Sequence, residues 1–527
     1  MNNRKPILLL IIIVMLLQLV VVPLANADET DNYRVLESKR YKLKSVYELV
    51  NTGSYEAYSV KTTILVGAIS NSPYQKNLNY KVTPWPKYTY VDSAGNIYAE
   101  VIIDRIKPKE TKTITIEKEV ENGGISYSKD IYNMGADYTE FLENINNKQY
   151  IEAGNKVEST ALEIKAKASD FDLSNTKVEL AKDIYDFVNT YITYDLNTKY
   201  ANKGALSAIR AARGVCDEYA TLFTAISRAL NLPARVVTGY WIDEPLKQES
   251  WNDISDKAHA WAEFYLPTVG WIPVEPTLIY STYNGVRTPN HEYFANLKTD
   301  EIHLLYGYLQ NKFRNDVSIS YSFYNSTSVD IKIGQQAVMP VGSISNSDAF
   351  TDIGSSWAKD YINKLYNNGI LFAKQPGLYK PSDNITRAEF AAYLVNTLKL
   401  DPKTSDITFK DVKDDSDYAS FIKTAAAYKL IAGDAQGYFR PKDPITRQDA
   451  AAIMKRAIEL FNIDYAALME PTFIDNNQVS LYAKSAVKLI YNMKIMTGKP
   501  GNLFEPKSYT TRAEASKILD NYINVTR

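Results

Sequence analysis

Three copies of one pattern occupy the last third of the chain. In each copy an aromatic residue precedes an isoleucine by 13 positions, and a proline precedes an arginine by six positions. The aromatic residues are Trp357, Tyr418 and Tyr482, and the arginines are Arg387, Arg447 and Arg512. Three copies that agree to the residue predict one structural unit made three times. We place the repeats at residues 345–404, 405–466 and 467–527.

Each of these arginines stands at the start of a predicted helix. In the first repeat Thr386 is the expected N-cap and Glu389 completes a capping box, whereas the second repeat has the shorter Asp449. A cation at the first helical position faces the positive end of the helix, so capping does not explain the arginine. We interpret the arginines as ligand groups, because guanidinium matches carboxylate and phosphate geometry. The alternative is that each arginine binds an acidic residue of a neighbouring repeat.

On these motifs, "ITRAEF", "ITRQDA" and "TTRAEA", residues 345–525 resemble surface-layer homology domains. The resemblance implies an all-α pseudo-trimer of three repeats whose grooves bind an anionic, often pyruvylated, secondary cell-wall polysaccharide. It places the three repeat arginines near that ligand, together with Trp357, Tyr418 and Tyr482. Repeats two and three depart from the family by using tyrosine, and repeat two also by reading "TRQD", which predicts weaker binding there.

The beginning of the mature chain reads as β-structure. Short apolar segments that alternate with polar residues, such as "TTILVGAI" and "TKTITIEKEV", are separated by Gly, Pro, Asn and Ser. This pattern predicts an all-β sandwich over residues 28–150. The region has no cluster of titratable residues, so we expect it to have a packing or presentation role.

An α+β domain is predicted over residues 151–312, followed by a β-rich linker segment at 313–344. A capping box of Thr176 and Glu179 begins one helix near Lys177. A second helix begins at or just before Cys216 and ends before Pro233. Strand-like segments follow it, "ARVVTGYW", "AHAWAEFYLP" and "GWIPVEPT".

Cys216 is the only cysteine of the chain, so it cannot form an internal disulfide. A thiol attacks as its thiolate, and a helix N-terminus contributes only about 0.3–1 kcal/mol toward that charge. One pKa unit takes about 1.36 kcal/mol, so the helix alone does not activate a thiol. Asp217 and Glu218 oppose the activation, so a histidine partner is needed.

His259 is the predicted partner of Cys216. Alternation along its strand puts His259, Trp261 and Glu263 on one face, and Glu275 lies at the end of a neighbouring strand. A carboxylate there would fix the imidazole tautomer. A lone buried cysteine is usually inert. The combination of a helix-start cysteine, a strand histidine and a strand-end acid nevertheless predicts a catalytic site.

These blocks resemble the transglutaminase-like superfamily, whose papain-like core carries a Cys-His-Asp triad. The resemblance covers about residues 160–280. It implies that Cys216 is the nucleophile, His259 the general base and then acid, and Glu275 the orienting acid. The family usually has aspartate at this last position, so Asp253 and Asp256 remain alternatives. The implied reaction is attack on a carboxamide or peptide carbonyl to give a thioacyl enzyme, which leads to crosslinking, deamidation or proteolysis.

The first 27 residues have the pattern of a signal peptide. Arg4 and Lys5 precede an apolar run at 7–22, and a small-x-small site ends at Ala27. The run is shorter than the roughly 20 residues that span a bilayer, so we expect cleavage, export and no membrane association afterwards. A single cysteine suits a bacterial cell surface better than an animal secretory pathway.

The formal net charge of −1 gives no reason to expect a nucleic-acid partner. The calcium-loop pattern does not occur, and we predict no metal and no cofactor. The sequence therefore predicts a secreted, wall-anchored cysteine enzyme that acts on a protein or peptide substrate. The rival hypothesis is a non-catalytic surface or adhesion protein in which the cysteine domain has become a binding module.

Overall fold

The computed structural model describes residues 32–69, 72–197, 199–278, 281–283, 286–309, 317–323, 328–342, 348–403, 407–463, 465 and 468–526. The strands are β1 (Tyr33–Asn51), β2 (Ala57–Ala68), β3 (Gln75–Thr83), β4 (Tyr88–Val91), β5 (Asn96–Ile106), β6 (Thr111–Tyr127), β7 (Thr193–Tyr194), β8 (Arg213–Gly214), β9 (Ala234–Ile242), β10 (Asn252–Asp253), β11 (Ala258–Leu266), β12 (Gly270–Val274), β13 (Ser281–Tyr283), β14 (Val286–Thr288), β15 (Asn296–Leu297), β16 (Ile302–Tyr308), β17 (Val317–Phe323) and β18 (Val329–Val341). The helices are α1 (Thr139–Glu143), α2 (Leu162–Ala168), α3 (Lys177–Tyr191), α4 (Ala205–Ala211), α5 (Cys216–Ala229), α6 (Lys359–Asn367), α7 (Arg387–Thr397), α8 (Ala419–Ala427), α9 (Arg447–Leu460), α10 (Lys484–Asn492) and α11 (Arg512–Val525). Single 3₁₀ turns lie at Lys129–Asn133, Lys148–Tyr150, His291–Tyr293, Asn476–Gln478 and Leu481–Ala483.

Two antiparallel sheets form the N-terminal region. One sheet has the order β10-β18-β1-β6-β15, with β3 also paired to β6, and the other has the order β17-β2-β5-β4. Buried side chains from both sheets, among them Leu49, Ile64 and Ile116, belong to one apolar core. Successive side chains of a strand point to opposite faces, which explains the alternation in the sequence. The prediction of a β-rich N-terminal region is confirmed.

The segment 313–344 differs from the linker that the sequence suggested. Its strand content is present, but β18 pairs with β1 and β17 pairs with β2. These strands complete the two sheets of the N-terminal region, although the α+β region lies between them in the sequence. Strand pairing over such a separation leaves no local signal, because it depends on contacts that form only in the folded chain.

A four-stranded antiparallel sheet with the order β12-β11-β9-β16 carries the middle of the chain. Helix α5 packs against β9 and β11 and buries its apolar side chains Leu222, Phe223 and Ile226. Helix α3 begins after the capping box of Thr176 and Glu179, as the sequence predicts. The sheet and the helices share one apolar core, which holds the start of α5 in a fixed place beside the strands.

A buried ion pair joins this sheet to the N-terminal region. The Arg235 Nε lies 2.6 Å from a carboxylate oxygen of Glu263, and both side chains are buried. The other Glu263 oxygen accepts hydrogen bonds from Ser72 (2.7 Å) and Tyr74 (2.8 Å) of the N-terminal region. The guanidinium also lies against the rings of Trp271 and Tyr308. A buried charge needs such partners, so this set fixes how the two regions meet.

Each C-terminal repeat contains two helices, and the second helix begins at the repeat arginine. Thr386, Thr446 and Thr511 cap α7, α9 and α11 by accepting a hydrogen bond from the backbone N–H three residues further on. The complete capping box is present at α7 and α11. The helical C-terminal region is confirmed.

The three repeats contact one another in a closed cycle. Backbone bridges join repeat one to repeat two at Thr386 and Pro444, and repeat two to repeat three at Thr446 and Tyr509. A third bridge joins repeat one back to repeat three, between Asn384 and Thr511. Each repeat therefore pairs with both of the others.

Across the ranges that the structure describes, no helix combines the length and the apolar character that crossing a membrane requires. The predicted signal peptide lies outside these ranges.

Loss of one partner of the buried ion pair should destabilise the protein strongly. In Glu263→Gln the Arg235 guanidinium stays buried without its counter-charge, and we expect a loss of about 3–5 kcal/mol. Urea unfolding followed by tryptophan fluorescence measures it. The control is Glu163→Gln, which breaks an exposed pair with Arg210 and should cost less than about 1 kcal/mol. Equal losses in the two variants would contradict the role of the buried pair.

Candidate active site

Cys216 is the first residue of α5 and is partly buried. The preceding strand β8 pairs with β7, so the chain enters the helix from a fixed direction. The structure thus places the thiol where the sequence predicted it, at a helix N-terminus. The positive end of the helix favours a thiolate there, although only weakly.

His259 lies on β11 and Glu275 lies directly after β12, the neighbouring strand. The Nε2 of His259 is 2.6 Å from Oε2 of Glu275, and the Glu275 side chain is fully buried. Oε1 of Glu275 accepts a hydrogen bond from the backbone N–H of Thr277 at 2.9 Å. Asp253 and Asp256 are exposed, and Asp253 accepts hydrogen bonds from Ser255 instead. The carboxylate that contacts His259 is therefore that of Glu275.

The electrostatics of this group couple all three side chains. Burial by itself would lower the pKa of His259, but Glu275 and Cys216 outweigh burial and raise the pKa to about 10. Burial by itself would raise the pKa of Glu275, but His259 and His303 outweigh it and hold the pKa at about 2. Cys216 contributes to the raised pKa of His259 through a side-chain hydrogen bond and through its charge. Since Nε2 faces Glu275, the other ring nitrogen, Nδ1, remains for the sulfur.

The six residues predicted to bind wall polymer fall into three sets at the junctions between the repeats, which we call the first, second and third groove. Each groove combines an arginine from one repeat, an acid from the next and an aromatic residue from the third. The first groove contains Arg387, Asp449 and Tyr482, the second contains Arg447, Glu514 and Trp357, and the third contains Arg512, Glu389 and Tyr418.

The arginines also have structural contacts. Each donates from Nε to a backbone carbonyl of another repeat, that of Phe439, Phe504 or Tyr379, at 2.7–2.9 Å. Arg512 in addition lies 3.0 Å from the Glu389 carboxylate, with both side chains buried. The interpretation that an arginine pairs with an acid of a neighbouring repeat thus describes Arg512. A ligand role for the arginines stays a prediction.

The family comparisons agree with both parts of this geometry. The model of the transglutaminase-like superfamily matches residues 165–276, which include Cys216, His259 and Glu275. The model of the S-layer homology domain matches three times, at residues 349–391, 408–451 and 478–516. The chain contains a transglutaminase-like domain followed by three S-layer homology domains.

Several known proteins share part of this sequence. Exoglucanase XynX from Acetivibrio thermocellus is 35% identical over 181 residues, which are 34% of this chain and 17% of that protein. The surface-layer 125 kDa protein of Lysinibacillus sphaericus is 31% identical over 190 residues, which are 36% of this chain and 16% of that protein. The chain thus spans less than a fifth of either relative. Among solved structures, the periplasmic domain of TgpA from Pseudomonas aeruginosa matches at 15% identity and a TM-score of 0.24, over 44% of this chain and 87% of that one.

Two residues of the transglutaminase-like domain support the site in ways that the sequence did not reveal. The first is Glu218, which looked like an opposing charge. Its buried carboxylate accepts hydrogen bonds from the backbone N–H groups of Val215, Lys203 and Gly204. It thereby fixes the turn into α5. Gly214 permits this contact, because a Cβ there would lie 2.3 Å from the Glu218 side chain.

The second is His303, on β16. It is buried, and its Nε2 lies 3.6 Å from Oε2 of Glu275, on which it acts electrostatically. Its strand reads IHLLYGY and is buried at nearly every position, so no alternation in the sequence singled out His303. The ligand atoms of His259, Glu275 and His303 lie within 4.8 Å of one another, so the described residues include one group whose spacing would accept a metal ion.

An open cleft of about 1740 Å³ lies beside this site. Its walls include the first residues of β1, the segment after β9 and the loop around residue 300. Trp241 forms part of the wall, and its ring centroid lies 5.6 Å from that of His259. Cys216, His259 and Glu275 are not among the residues that line this cleft, and Trp241 is its point of contact with the site.

The coupling of His259 and Glu275 predicts how stability depends on pH. The lowered pKa of Glu275 contributes stability above its ordinary value of 4.5, and this contribution is lost as the pH falls toward 2. The raised pKa of His259 contributes fully below 6.5, and this contribution is lost as the pH rises through about 10. Unfolding of the His259→Gln variant should therefore show the largest loss of unfolding free energy, relative to the wild type, between pH 4.5 and 6.5. The loss should be smaller below and above that range.

The control is His291→Gln, because His291 is exposed and faces Asp186. Its loss of stability should be within about 1 kcal/mol at every pH. If the His259→Gln loss were the same from pH 4 to pH 10, the two groups would not be coupled as described.

Proposed function

We propose that the chain is a cell-surface cysteine enzyme that cleaves or transfers acyl groups of proteins through a thioacyl intermediate. The observation that carries this proposal is the buried contact of 2.6 Å between His259 and Glu275, with Cys216 next to the same imidazole. A nucleophile, a base and a group that orients the base are the parts that acyl transfer requires. Burial of the carboxylate keeps it directed at the imidazole and away from solvent.

In the proposed reaction His259 takes the proton of the Cys216 thiol, and the sulfur attacks the carbonyl carbon of a carboxamide or peptide. The sulfur–carbon bond forms, the carbonyl oxygen becomes negative, and His259 then gives its proton to the departing nitrogen as the carbon–nitrogen bond breaks. The first N–H groups of α5 have no carbonyl partner within the helix and are available to the developing oxyanion. An incoming amine or water gives its proton to His259 and releases Cys216.

Glu275 makes this exchange of protons possible. It holds the Nε2 side of the ring, so that the proton that is transferred is the one on Nδ1. The cleft beside Trp241 suits a protein or peptide better than a small amide, because its volume far exceeds that of one side chain. Resolution by an amine gives crosslinking, and resolution by water gives deamidation or peptide hydrolysis.

The S-layer homology domains indicate a location at the cell surface. Relatives named as a surface-layer protein and as a cellulosome-anchoring protein share part of this sequence, and both names describe surface or anchoring roles. We propose that the domains bind an anionic secondary cell-wall polysaccharide in the grooves and hold the secreted enzyme against the wall. The repeat arginines supply positive charge and the repeat aromatic residues supply stacking surfaces for sugar rings.

A non-catalytic surface protein is the rival. The reactivity of Cys216 separates the two hypotheses, and the label is unambiguous because the chain has one cysteine. We expect iodoacetamide to label Cys216 at pH 6.5 at least about tenfold faster in the wild type than in His259→Ala, because the imidazolium stabilises the thiolate. Labelling rates are measured by mass spectrometry. Equal rates at pH 6.5 would favour the non-catalytic protein.

The reaction itself is tested with a glutamine-containing protein and a labelled primary amine. We expect one of three products in the mass spectrum: incorporated amine, a deamidated glutamine or a cleaved backbone. Cys216→Ala should lower the rate of product formation at least about 1000-fold, since it removes the nucleophile. The control, Ser227→Ala, changes a buried hydroxyl further along α5 and should keep the activity. Unchanged turnover in Cys216→Ala would exclude the proposed mechanism.

A further inference from the structure

The three grooves of the S-layer homology domains are not equally accessible. The aromatic residue of the second groove, Trp357, is 60% exposed, and that of the first groove, Tyr482, is 57% exposed. Tyr418 of the third groove is only partly exposed, and Arg512 in the same groove has no exposed surface. The three aromatic residues hold equivalent positions in the repeat pattern, but Tyr418 also contacts a segment from outside the repeats.

Strand β4 of the N-terminal region covers the third groove. The Tyr88 ring lies 5.0 Å from that of Tyr418 and 5.5 Å from that of Phe372. Tyr90, two residues further along the strand, stacks its ring on that of Phe421, with 4.8 Å between the ring centroids. These aromatic contacts bury Tyr88, which is only 7% exposed.

Polar contacts fix the same strand in place. Lys87, just before β4, forms an ion pair of 2.5 Å with Asp417, the residue before Tyr418. Asn396 of α7 donates to the backbone carbonyl of Thr89 at 2.9 Å and accepts from the backbone N–H of Val91 at 3.2 Å. Asn396 of the first repeat thus satisfies one carbonyl and one N–H on the edge of β4 that does not pair with β5.

The equivalent positions in the other repeats bind only within the repeats. Nine residues after the repeat arginine stand Asn396, Arg456 and Asn521. Arg456 donates to the carbonyl of Leu430, and Asn521 donates to that of Ile495. The hydrogen bonds from this position to β4 are therefore particular to the first repeat.

The charges of the third groove are already neutralised inside the protein. The Glu389 carboxylate lies 3.0 Å from Arg512 and 2.6 Å from Lys374. In the second groove, by contrast, Arg447 is 3.8 Å from Glu514, while Lys499 and Lys517 add positive charge near Glu514 and Trp357. In the first groove, no carboxylate of the described ranges pairs with Arg387 within 4 Å. Arg447 is buried and Lys499 also pairs with Glu505 at 2.9 Å, so the second groove keeps positive charge mainly through Lys517, which lies over the Trp357 ring.

We propose that the N-terminal region of the chain permanently occupies the third groove, so that wall polysaccharide binds in the first and second grooves alone. This inference rests on the proposed wall binding and assigns its sites. The strand in the third groove also joins the N-terminal region to the S-layer homology domains. Since the buried pair of Arg235 and Glu263 joins the same region to the transglutaminase-like domain, the enzyme is held in one orientation to the wall polymer.

The first test counts binding sites on the full chain by calorimetry, with the methyl glycoside of a pyruvylated hexosamine as probe. We expect two sites in the wild type and one site in each of Trp357→Ala and Tyr482→Ala, with the lost site weakened at least about tenfold. Tyr418→Ala should keep both sites, with affinities within about twofold. Three sites, or a site lost in Tyr418→Ala, would overturn the inference and leave wall binding intact. An absence of binding to any groove would overturn the proposed wall binding itself.

The second test needs no ligand. Hydroxyl-radical oxidation followed by mass spectrometry should modify Trp357 and Tyr482 and protect Tyr418. The double variant Lys87→Glu/Tyr88→Ser removes the ion pair and the covering ring, and it should raise the oxidation of Tyr418 at least about fivefold. Tyr55→Ser, an exposed tyrosine of the same region, is the matched control and should leave Tyr418 protected. Oxidation of Tyr418 in the wild type at the rate of Tyr482 would overturn the inference.

Discussion

The arrangement of the transglutaminase-like domain depends on the fully buried carboxylate of Glu275. Glu275 keeps its charge in the interior because the imidazole of His259 lies 2.6 Å away and the Thr277 N–H holds its other oxygen. Without these partners the cost of burying the charge would protonate the group. The neighbouring strands of the sheet, in the order β12-β11-β9-β16, bring Glu275, His259 and His303 together. Cys216, the first residue of α5, supplies the thiol.

Glu275 stands at the position where the family usually has aspartate. Its Oε2 lies 2.6 Å from Nε2 of His259 and 3.6 Å from Nε2 of His303, so one acid faces two histidines. The two imidazoles and the acid are surrounded by the rings of Trp241 and Trp261. These rings keep water from competing for the hydrogen bonds, which strengthens the electrostatic coupling.

Polar groups buried between regions determine how the parts of the chain are arranged. One oxygen of Glu263 pairs with Arg235, and the other is satisfied by Ser72 and Tyr74 of the N-terminal region. Asn396 is satisfied by β4 together with the turn that ends α6. A buried polar group that loses its partner is costly, so each of these contacts favours one arrangement of the regions over others. The S-layer homology domains and the transglutaminase-like domain are thereby parts of one folded body.

Local sequence signals predicted local structure well. The capping boxes at Thr176, Thr386 and Thr511 gave helix starts, because a cap and its reciprocal partner lie three residues apart in the chain. The strand of His259 followed from its alternation. The roles of Glu218 and His303 did not, since their partners lie on other segments. The same holds for the segment 313–344, whose strands pair with β1 and β2.

The sequence by itself determined the repeats, the helix that begins at Cys216, and the strand and strand end that carry His259 and Glu275, because each is written in a few consecutive residues. Only the tertiary structure decided that Glu275 rather than Asp253 contacts the imidazole, and that Tyr418 is covered while Trp357 and Tyr482 are exposed. The physical reason is that burial and hydrogen-bond partners are properties of distant segments brought together. A residue's own neighbours in the chain do not contain that information.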